Sequence, residues 1–253
     1  MAIQVISKEH QAYGAFNSGQ IVENKPIGFP QDGGEVRPYS NLFYWAYAEA
    51  KEESTIGLHP HQGFEIMSFV LNGTIRHYDT KLKEWRELEK GDAQIIRAGN
   101  GISHAEHMYK NAVMFQIWVD PNLDKTLQQE ASYDDYKDGD FPLKTKNGLT
   151  IKSYVGTDAP LKMDTTGMTI EEWRLTESEI TQVIESHKIY SIYVLDGSLT
   201  INGKSAKKDD FIIIKNQEEI KVENGAARLF VIASLEELDY ITYAQRMQNQ
   251  MRR

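Results

Sequence analysis

The sequence predicts an all-β protein built from antiparallel barrels or sandwiches. Short runs rich in β-branched and aromatic residues dominate the chain, turn residues separate them, and helical periodicity is nearly absent before the C-terminus. The clearest strand-like runs are Glu65–Leu71, Ala93–Ile96, Val113–Val119, Ile189–Leu195 and Phe211–Ile214. Many short strands with this spacing are typical of antiparallel barrels and sandwiches.

Two dipeptides predict tight hairpins. Asn147-Gly148 separates LKTK from LTIK, and Asn202-Gly203 separates SLTI from KSAK. A type I′ turn needs positive φ at both central residues, which asparagine and glycine tolerate better than other residues do. We therefore expect antiparallel strand pairs at both places.

The chain also contains an internal repeat. FVLNGTIRHYD at 69–79 resembles YVLDGSLTING at 193–203, and EKGDAQIIRAG at 89–99 resembles KKDDFIIIKNQ at 207–217, in the same order. Two similar blocks in one order indicate a duplicated β-domain. We predict domains at 1–125 and 126–234.

The polar, acidic segment 120–140 reads as a linker or exposed connection between the two domains. After the second domain, residues 235–253 predict a C-terminal helix, because acidic residues come early and arginines come late, which complements the helix dipole.

Composition limits the function classes. The 253 residues suffice for one large domain or two smaller ones, and 40% hydrophobic and 26% charged residues are ordinary for a globular protein. The formal charge of −9 disfavours a broad nucleic-acid footprint, which needs clustered Lys and Arg. The absence of cysteine excludes disulfides and thiolate chemistry. Without a leader pattern or an 18-residue apolar run, we expect a cytoplasmic protein with no membrane contact.

Two short motifs place polar side chains together. In HPHQGFE (59–65), His59 and His61 face one side of a strand while Pro60 faces away, since side chains alternate along a strand. In GNGISHAEHMY (99–109), His104 and Glu106 share a face in the same way. A single such histidine reads equally well as a satisfied core or surface residue. Three buried imidazoles and a carboxylate together need partners, and a metal ion would supply them.

The types of these four side chains indicate the chemistry. Imidazoles with a carboxylate and no thiolate suit Fe(II), Mn, Ni, Cu or Zn. Four protein ligands leave positions open in an octahedral metal, which favours a catalytic site over a closed structural one.

The two motifs, HPHQGFEIMSFVLNG and GDAQIIRAGNGISHAEH, resemble the metal-binding motifs of the cupins and specifically those of the pirin family; FQIWVDP at 115–121 is also similar. The resemblance covers about residues 35–120. It implies a bicupin with two antiparallel double-stranded β-helix (jelly-roll) barrels, of which the N-terminal one holds metal. By matching position, the implied metal ligands are His59, His61, His104 and Glu106.

Pirins are similar to quercetin 2,3-dioxygenases, so the resemblance implies a metal-dependent dioxygenase. We expect Fe(II) as the metal, with Mn, Ni, Co, Cu or Zn as alternatives, and a small aromatic substrate with O2. The substrate class would be flavonols or related enolic compounds, opened with loss of carbon monoxide. Glu106 is the candidate catalytic base.

Two other functions stay open. One is a metal-dependent, redox-sensing regulatory protein that binds a protein partner without physiological turnover, as nuclear pirins are thought to do. The other is a different cupin reaction on nearly the same ligands, because a fold alone does not determine function.

The second half of the chain lacks an equivalent ligand set. Aligned on the repeat, Val183 and Glu185 stand opposite the first histidine pair, and Val222 and Asn224 stand opposite the second pair. We expect a structural C-terminal barrel, with His187 at its surface.

The sequence also suggests positions for four residues near these motifs. Glu65 either orients an imidazole of the site or forms a salt bridge at the rim. His107 faces away from the ligands, and His77 lies near a hairpin end. Gln62 stands where pirins often carry a basic residue, which alters the charge expected at the pocket mouth.

Overall fold

A computed structural model describes residues 2–251, except for the side chains of Pro30, Asn224 and Met251. Arg252 and Arg253, the last two positions of the predicted C-terminal helix, lie outside the described residues. The side chain of Asn224, which the repeat aligns with Glu106, also lies outside them.

The predicted all-β class is confirmed, since strands form nearly all regular structure of the described chain. The strands of the first half are β1 (Ile3–Ile6), β2 (Ala12–Phe16), β3 (Ile21–Ile27), β4 (Leu42–Ala50), β5 (Ser54–His61), β6 (Glu65–Asn72), β7 (Thr74–Asp79), β8 (Trp85–Glu89), β9 (Ala93–Arg97), β10 (Ile102–Met108) and β11 (Val113–Val119). A short helix α1 (Leu123–Thr126) precedes β12 (Ser132–Tyr136), β13 (Leu143–Lys146) and β14 (Leu149–Val155). The chain continues with β15 (Thr169–Leu175), β16 (Glu179–Val183), β17 (Lys188–Ile201), β18 (Lys204–Lys207), β19 (Phe211–Ile214), β20 (Glu219–Leu235) and α2 (Tyr243–Met251).

Both predicted hairpins are confirmed. Asn147 and Gly148 have φ angles of 49° and 73°, and they join the antiparallel strands β13 and β14. Asn202 and Gly203, with φ angles of 43° and 76°, join β17 and β18 in the same way. Positive φ at both central residues is the type I′ geometry that matches the twist of the flanking strands.

The described residues group into two compact units. The N-terminal unit contains residues 11–140, 163–166 and 239–251, and the C-terminal unit contains residues 2–10, 141–162 and 167–238. The predicted domain boundaries at 1–125, 126–234 and 235–253 stay a prediction.

The N-terminal unit has two antiparallel sheets. One has seven strands in the order β12-β9-β6-β11-β4-β3-β2, and the other has four in the order β5-β10-β7-β8. Strand β6 lies between β9 and β11 in this sheet and is buried at every position from Glu65 to Leu71. The candidate ligands lie on the four-stranded sheet.

The C-terminal unit is a nine-stranded antiparallel sheet system. Its main order is β1-β19-β17-β20-β15-β14-β13, with β16 pairing β20 and β18 pairing β17. An apolar cluster fills its core and includes Trp173, Ile192, Ile212, Val222 and Leu229. Val222, which the repeat places opposite the second ligand pair, is part of this packed core.

The internal repeat is visible in the backbone. The Asp92 carboxylate accepts a hydrogen bond of 2.9 Å from the Glu89 backbone N–H, and the Asp210 carboxylate accepts one of 2.9 Å from that of Lys207. Each aspartate thus closes the same turn before the equivalent strand, β9 or β19. The short sequence repeat therefore marks the same local structure in both units.

The segment 120–140 is largely exposed, as predicted, but the linker alternative was wrong. It contains α1, followed by β12, which pairs with β9 as an edge strand of the seven-stranded sheet. The sequence SYDDY is mostly exposed because only one of its edges is paired. The segment is polar because β12 is an edge strand whose side chains mostly face solvent.

The C-terminal helix is confirmed but shorter than predicted. It begins at Tyr243, because β20 continues to Leu235 and residues 239–242 form an irregular connection. No described helix has both the length and the apolar character required to cross a bilayer.

Candidate metal centre

The pairing of β5 with β10 brings three histidines together. In the antiparallel register, His104 of β10 lies opposite His59 of β5. His61 lies two residues after His59 on β5. One ligand atom from each of His59, His61 and His104 can be chosen so that all three atoms lie within 4.8 Å of one another. This group, the His triad, can hold a metal ion.

Hydrogen bonding in the His triad fits a metal. The His59 Nδ1 atom lies 2.8 Å from the Gly57 carbonyl oxygen, so Nδ1–H donates and the Nε2 lone pair is free for a metal. The His61 Nε2 atom and both ring nitrogens of His104 are buried without a hydrogen-bond partner among the described residues. Buried polar atoms normally have partners, and a metal ion at the centre of the triad would provide one.

The protonation of the triad also suits a metal. Burial, with a smaller contribution from the neighbouring His59, lowers the pKa of His61 to about 4. Burial likewise holds the pKa of His104 well below its ordinary value. The neighbouring His59, His61 and His77 make smaller contributions in the same direction. These imidazoles are therefore neutral at pH 7, which is the form that binds metals.

Glu106 lies next to the His triad. Its Oε1 atom is 3.9 Å from the His104 Nδ1 atom, and its side chain is fully buried. Both carboxylate oxygens accept hydrogen bonds of 2.7 Å from the Gln116 side-chain N–H group. Burial raises the pKa of the Glu106 carboxyl, while His59, His77 and Gln116 act in the opposite direction. Its place in the ligand set stays a proposal.

A β-bulge shapes the centre. Between His104 and Glu106 on β10, the partner strand β5 advances from His59 to Ile56 and so contains one extra residue. Bulges bend a strand and redirect its side chains, and they recur beside active sites. Here the extra residue lies just before His59, within β5.

Aromatic side chains adjoin the triad. The Trp118 ring meets the His61 ring edge to face, with centroids 4.8 Å apart. Trp118 also packs in a cluster that we call the aromatic wall, which comprises Phe29, Phe43, Tyr44, Phe64 and Trp118. Phe43 and Tyr44 are buried, and Phe29, Phe64 and Trp118 are partly buried, so the triad adjoins a packed apolar cluster.

A cavity of about 540 Å³ reaches one member of the triad, His61. Gln62 and Asn100 are among its lining residues, and the Gln62 side chain donates a hydrogen bond of 3.2 Å to the Asn100 carbonyl oxygen. The lining at Gln62, Thr80, Asn100 and Ser103 is polar and uncharged.

The sequence reasoning missed a buried pair beside the triad. His77 and Asp79 are fully buried and joined by a hydrogen bond of 2.8 Å. The His77 ring lies 5.6 Å from that of His104 and stacks on Tyr133 at 4.4 Å. The spacing of His77 and Asp79 by two residues repeats the pattern of both ligand motifs and could have identified them.

The structure also places three further residues that the sequence analysis discussed, namely Glu65, His107 and His187. Among the described residues, the Glu65 carboxylate has no hydrogen bond to an imidazole and no ion pair with a cation; it accepts hydrogen bonds from the backbone N–H groups of Asp164 and Thr165. His107 bonds to the Thr55 hydroxyl at 2.9 Å and faces away from the triad, as expected. The prediction of a surface position for His187 is confirmed, because its side chain is 65% exposed.

Comparison with known proteins agrees with this architecture. The Pirin family model matches residues 27–119. The quercetin 2,3-dioxygenase of Escherichia coli (strain K12) is 28% identical over 171 residues, which cover 66% of this chain and 70% of that protein. Pirin-1 of Arabidopsis thaliana is 27% identical over 151 residues, covering 57% and 52%.

Solved structures match nearly the whole chain. A bacterial pirin from Escherichia coli in complex with nickel(II) has a TM-score of 0.76 at 22% identity, over 93% of this chain and 100% of that one. A quercetin 2,3-dioxygenase from Acinetobacter baumannii has a TM-score of 0.78 at 20% identity, over 99% and 87%. The predicted bicupin fold is confirmed.

Proposed function

We propose that this chain, a member of the pirin family, is a metal-dependent dioxygenase that opens the ring of a flavonol or a related enolic substrate with O2. The observation that carries the proposal is the position of the His triad, with Glu106 beside it, at the edge of the aromatic wall. Support comes from the Escherichia coli quercetin 2,3-dioxygenase at 28% identity, and from relatives named putative quercetin 2,3-dioxygenase at 26% and 23% identity.

The ligands that we assign are His59, His61, His104 and Glu106, and the metal that we propose is Fe(II). Mn, Ni, Co, Cu and Zn suit the same imidazole and carboxylate donors. When bound, such a metal lowers the pKa of a coordinated hydroxyl and brings the substrate and O2 together.

The side chains around the centre would have distinct tasks. An oxygen of the Glu106 carboxylate would accept the proton of the substrate's enolic hydroxyl, since burial leaves this base out of contact with bulk water. The Trp118 ring, in contact with His61, would bind one face of a planar substrate. The rest of the aromatic wall would exclude water from the reacting ring.

The test is quercetin-dependent oxygen uptake by protein loaded separately with Fe(II), Mn, Ni, Co and Cu, with carbon monoxide release measured in parallel. We expect uptake with at least one metal, and its loss in His59→Ala. His107→Ala is the matched control, because His107 adjoins Glu106 in sequence but faces away from the triad. Glu106→Gln should abolish turnover while part of the metal stays bound.

Lack of uptake with every metal, despite confirmed loading, would contradict the dioxygenase. The redox-sensing regulatory protein or another cupin reaction would then be the better explanation. Full activity in Glu106→Gln would overturn only the assignment of the base.

A further inference from the structure

We infer that Gln116, oriented by Trp118, positions the Glu106 carboxylate for the metal. This inference rests on the proposed function, in which Glu106 is a ligand. It assigns a role to two residues of β11, a strand of the seven-stranded sheet that faces the His triad across the interior of the N-terminal unit.

The contacts form a short chain. The Trp118 indole N–H donates a hydrogen bond of 3.1 Å to the Gln116 side-chain oxygen. The Gln116 side-chain nitrogen donates to both oxygens of Glu106, each at 2.7 Å. The amide thus connects an aromatic side chain that touches His61 to the carboxylate beside His104.

The chemistry of its partners determines the orientation of the Gln116 amide. An indole nitrogen can only donate, so the amide oxygen must face Trp118. An ionised carboxylate can only accept, so the amide nitrogen must face Glu106. The reversed amide would lose both interactions, and Gln116 is therefore held in one orientation.

The backbone of Gln116 is equally constrained. Its strand β11 pairs on one side with β4 and on the other with β6, with Gln116 opposite Ala46 and Ser68. The Gln116 side chain is 8% exposed and that of Glu106 is 1% exposed. A buried carboxylate that must stay ionised to bind a metal needs such donors, because little water reaches it.

Trp118 couples two candidate ligands. Its ring packs on His61 while its N–H group orients the amide that holds Glu106. Hydrogen-bonding partners of metal ligands commonly fix the geometry of those ligands and strengthen metal binding. Gln116 and Trp118 are thus positioning residues for the centre, and neither is assigned as a ligand.

The test measures Ni(II) and Co(II) affinity by competition with a chelator, so it does not depend on activity. Gln116→Met keeps the side-chain length but cannot donate, and we expect affinity to fall about 10- to 100-fold. Gln182→Met is the matched control, since Gln182 lies on β16 of the C-terminal unit and donates its hydrogen bond to the Val183 carbonyl oxygen. Its affinity should stay within about twofold of the unchanged protein.

A double-mutant cycle separates positioning from a general structural effect. In the Glu106→Gln background, Gln116→Met should cause no further loss, because the carboxylate that it positions is gone. The visible absorption of the Co(II)-loaded Gln116→Met protein should shift toward that of Glu106→Gln. An equal loss of affinity in both backgrounds, or no loss in either, would overturn the inference.

Trp118→Phe provides a second variant that keeps most of the packing. We expect a smaller loss of affinity than for Gln116→Met, and no additional loss when the two are combined. Additive losses would show that Trp118 acts independently of Gln116 and would refute the chain of contacts.

The failure of this inference can be distinguished from failure of the proposed dioxygenase. If oxygen uptake is absent but the cycle behaves as expected, the enzyme assignment fails and the positioning role stands. If Glu106→Gln leaves metal affinity unchanged, Glu106 is not a ligand and the positioning role falls, whatever the oxygen uptake.

Discussion

The carboxylate of Glu65 serves the fold, although Glu65 lies only four residues after His61. It is 1% exposed and accepts hydrogen bonds from the Asp164 and Thr165 backbone N–H groups at 2.6 and 2.9 Å. The Thr165 hydroxyl donates a third hydrogen bond of 2.5 Å. Glu65 thus anchors the segment 163–166 within the N-terminal unit.

This anchor leads to a prediction for Thr165. Thr165→Val removes the hydroxyl donor to a buried acid, and we expect the free energy of unfolding to fall by about 1–3 kcal/mol. Thr165→Ser is the control, because it keeps the hydroxyl and should recover most of that loss. Urea unfolding followed by circular dichroism measures both. Equal stability of the valine and serine variants would show that the hydroxyl bond contributes nothing.

The candidate ligands also show what a residue pattern can predict. The spacing of His59 with His61 predicts that both imidazoles share one face of a strand. The orientation of Glu106 toward Gln116 could not be predicted, because Gln116 comes from another sheet and meets Glu106 only after the sheets pack.

At the scale of elements, a buried aspartate, Asp120, binds the N-terminal end of α2. The Asp120 carboxylate accepts a hydrogen bond of 3.2 Å from the Ala244 backbone N–H at the start of α2, and its carbonyl oxygen accepts one of 2.8 Å from the Tyr240 hydroxyl. Within α2, the Tyr243 ring packs on Phe43 and Phe64 of the aromatic wall. Asp120 therefore helps to hold the helix against the wall that adjoins the metal centre.

The pH dependence of stability tests this contact. Burial raises the pKa of Asp120 to about 6, against the opposing effect of hydrogen bonds from α2. An acid whose pKa is higher in the folded state than its ordinary value of 3.8 takes up protons on folding. Its contribution to stability is therefore greatest below about pH 4 and declines as the pH rises through 6.

Asp120→Asn should remove this decline. We expect the free energy of unfolding of the variant, relative to the unchanged protein, to rise by about 1–3 kcal/mol between pH 4 and pH 7. Unfolding by urea at a series of pH values measures the difference. A constant difference across that range would mean that burial in the folded state does not raise the pKa of Asp120.

At the scale of the whole molecule, the first strand of the chain pairs with a strand that lies about 200 residues later in the C-terminal unit. Strand β1 pairs with β19 over four residues, from Ile3 opposite Ile214 to Ile6 opposite Phe211. Ile6 is 1% exposed, and all of β19 is buried. The first residues of the chain thus complete a unit whose other strands begin after residue 140.

Deletion of residues 1–7 tests that role. It would expose the edge of β19 and the apolar surface that Ile6 covers, and we expect a loss of at least about 3 kcal/mol in the free energy of unfolding. Hydrogen exchange of the β19 amides should accelerate. Gln4→Ala, at an exposed position of β1, is the control and should change little. Unchanged protection of β19 would show that β17 alone holds this strand.

Local features of the chain were predictable because they depend on neighbouring residues. Positive φ at Asn-Gly pairs determined both hairpins, and apolar β-branched runs determined the strands, including all of Val113–Val119. The repeat predicted related units because the same aspartate closes the same turn in each. The linker interpretation of 120–140 failed because exposed edge strands and linkers share a polar composition.

By itself, the sequence determined the all-β class, the hairpins, and the sharing of one strand face by His59 and His61, since alternation along a strand is a local property. Only the tertiary structure decided that His77 and Asp79 lie beside the triad, that Glu65 anchors residues 163–166, and that Gln116 holds Glu106. These contacts join residues far apart in the chain or on different sheets. Their geometry depends on strand register and sheet packing, which no short stretch of sequence specifies.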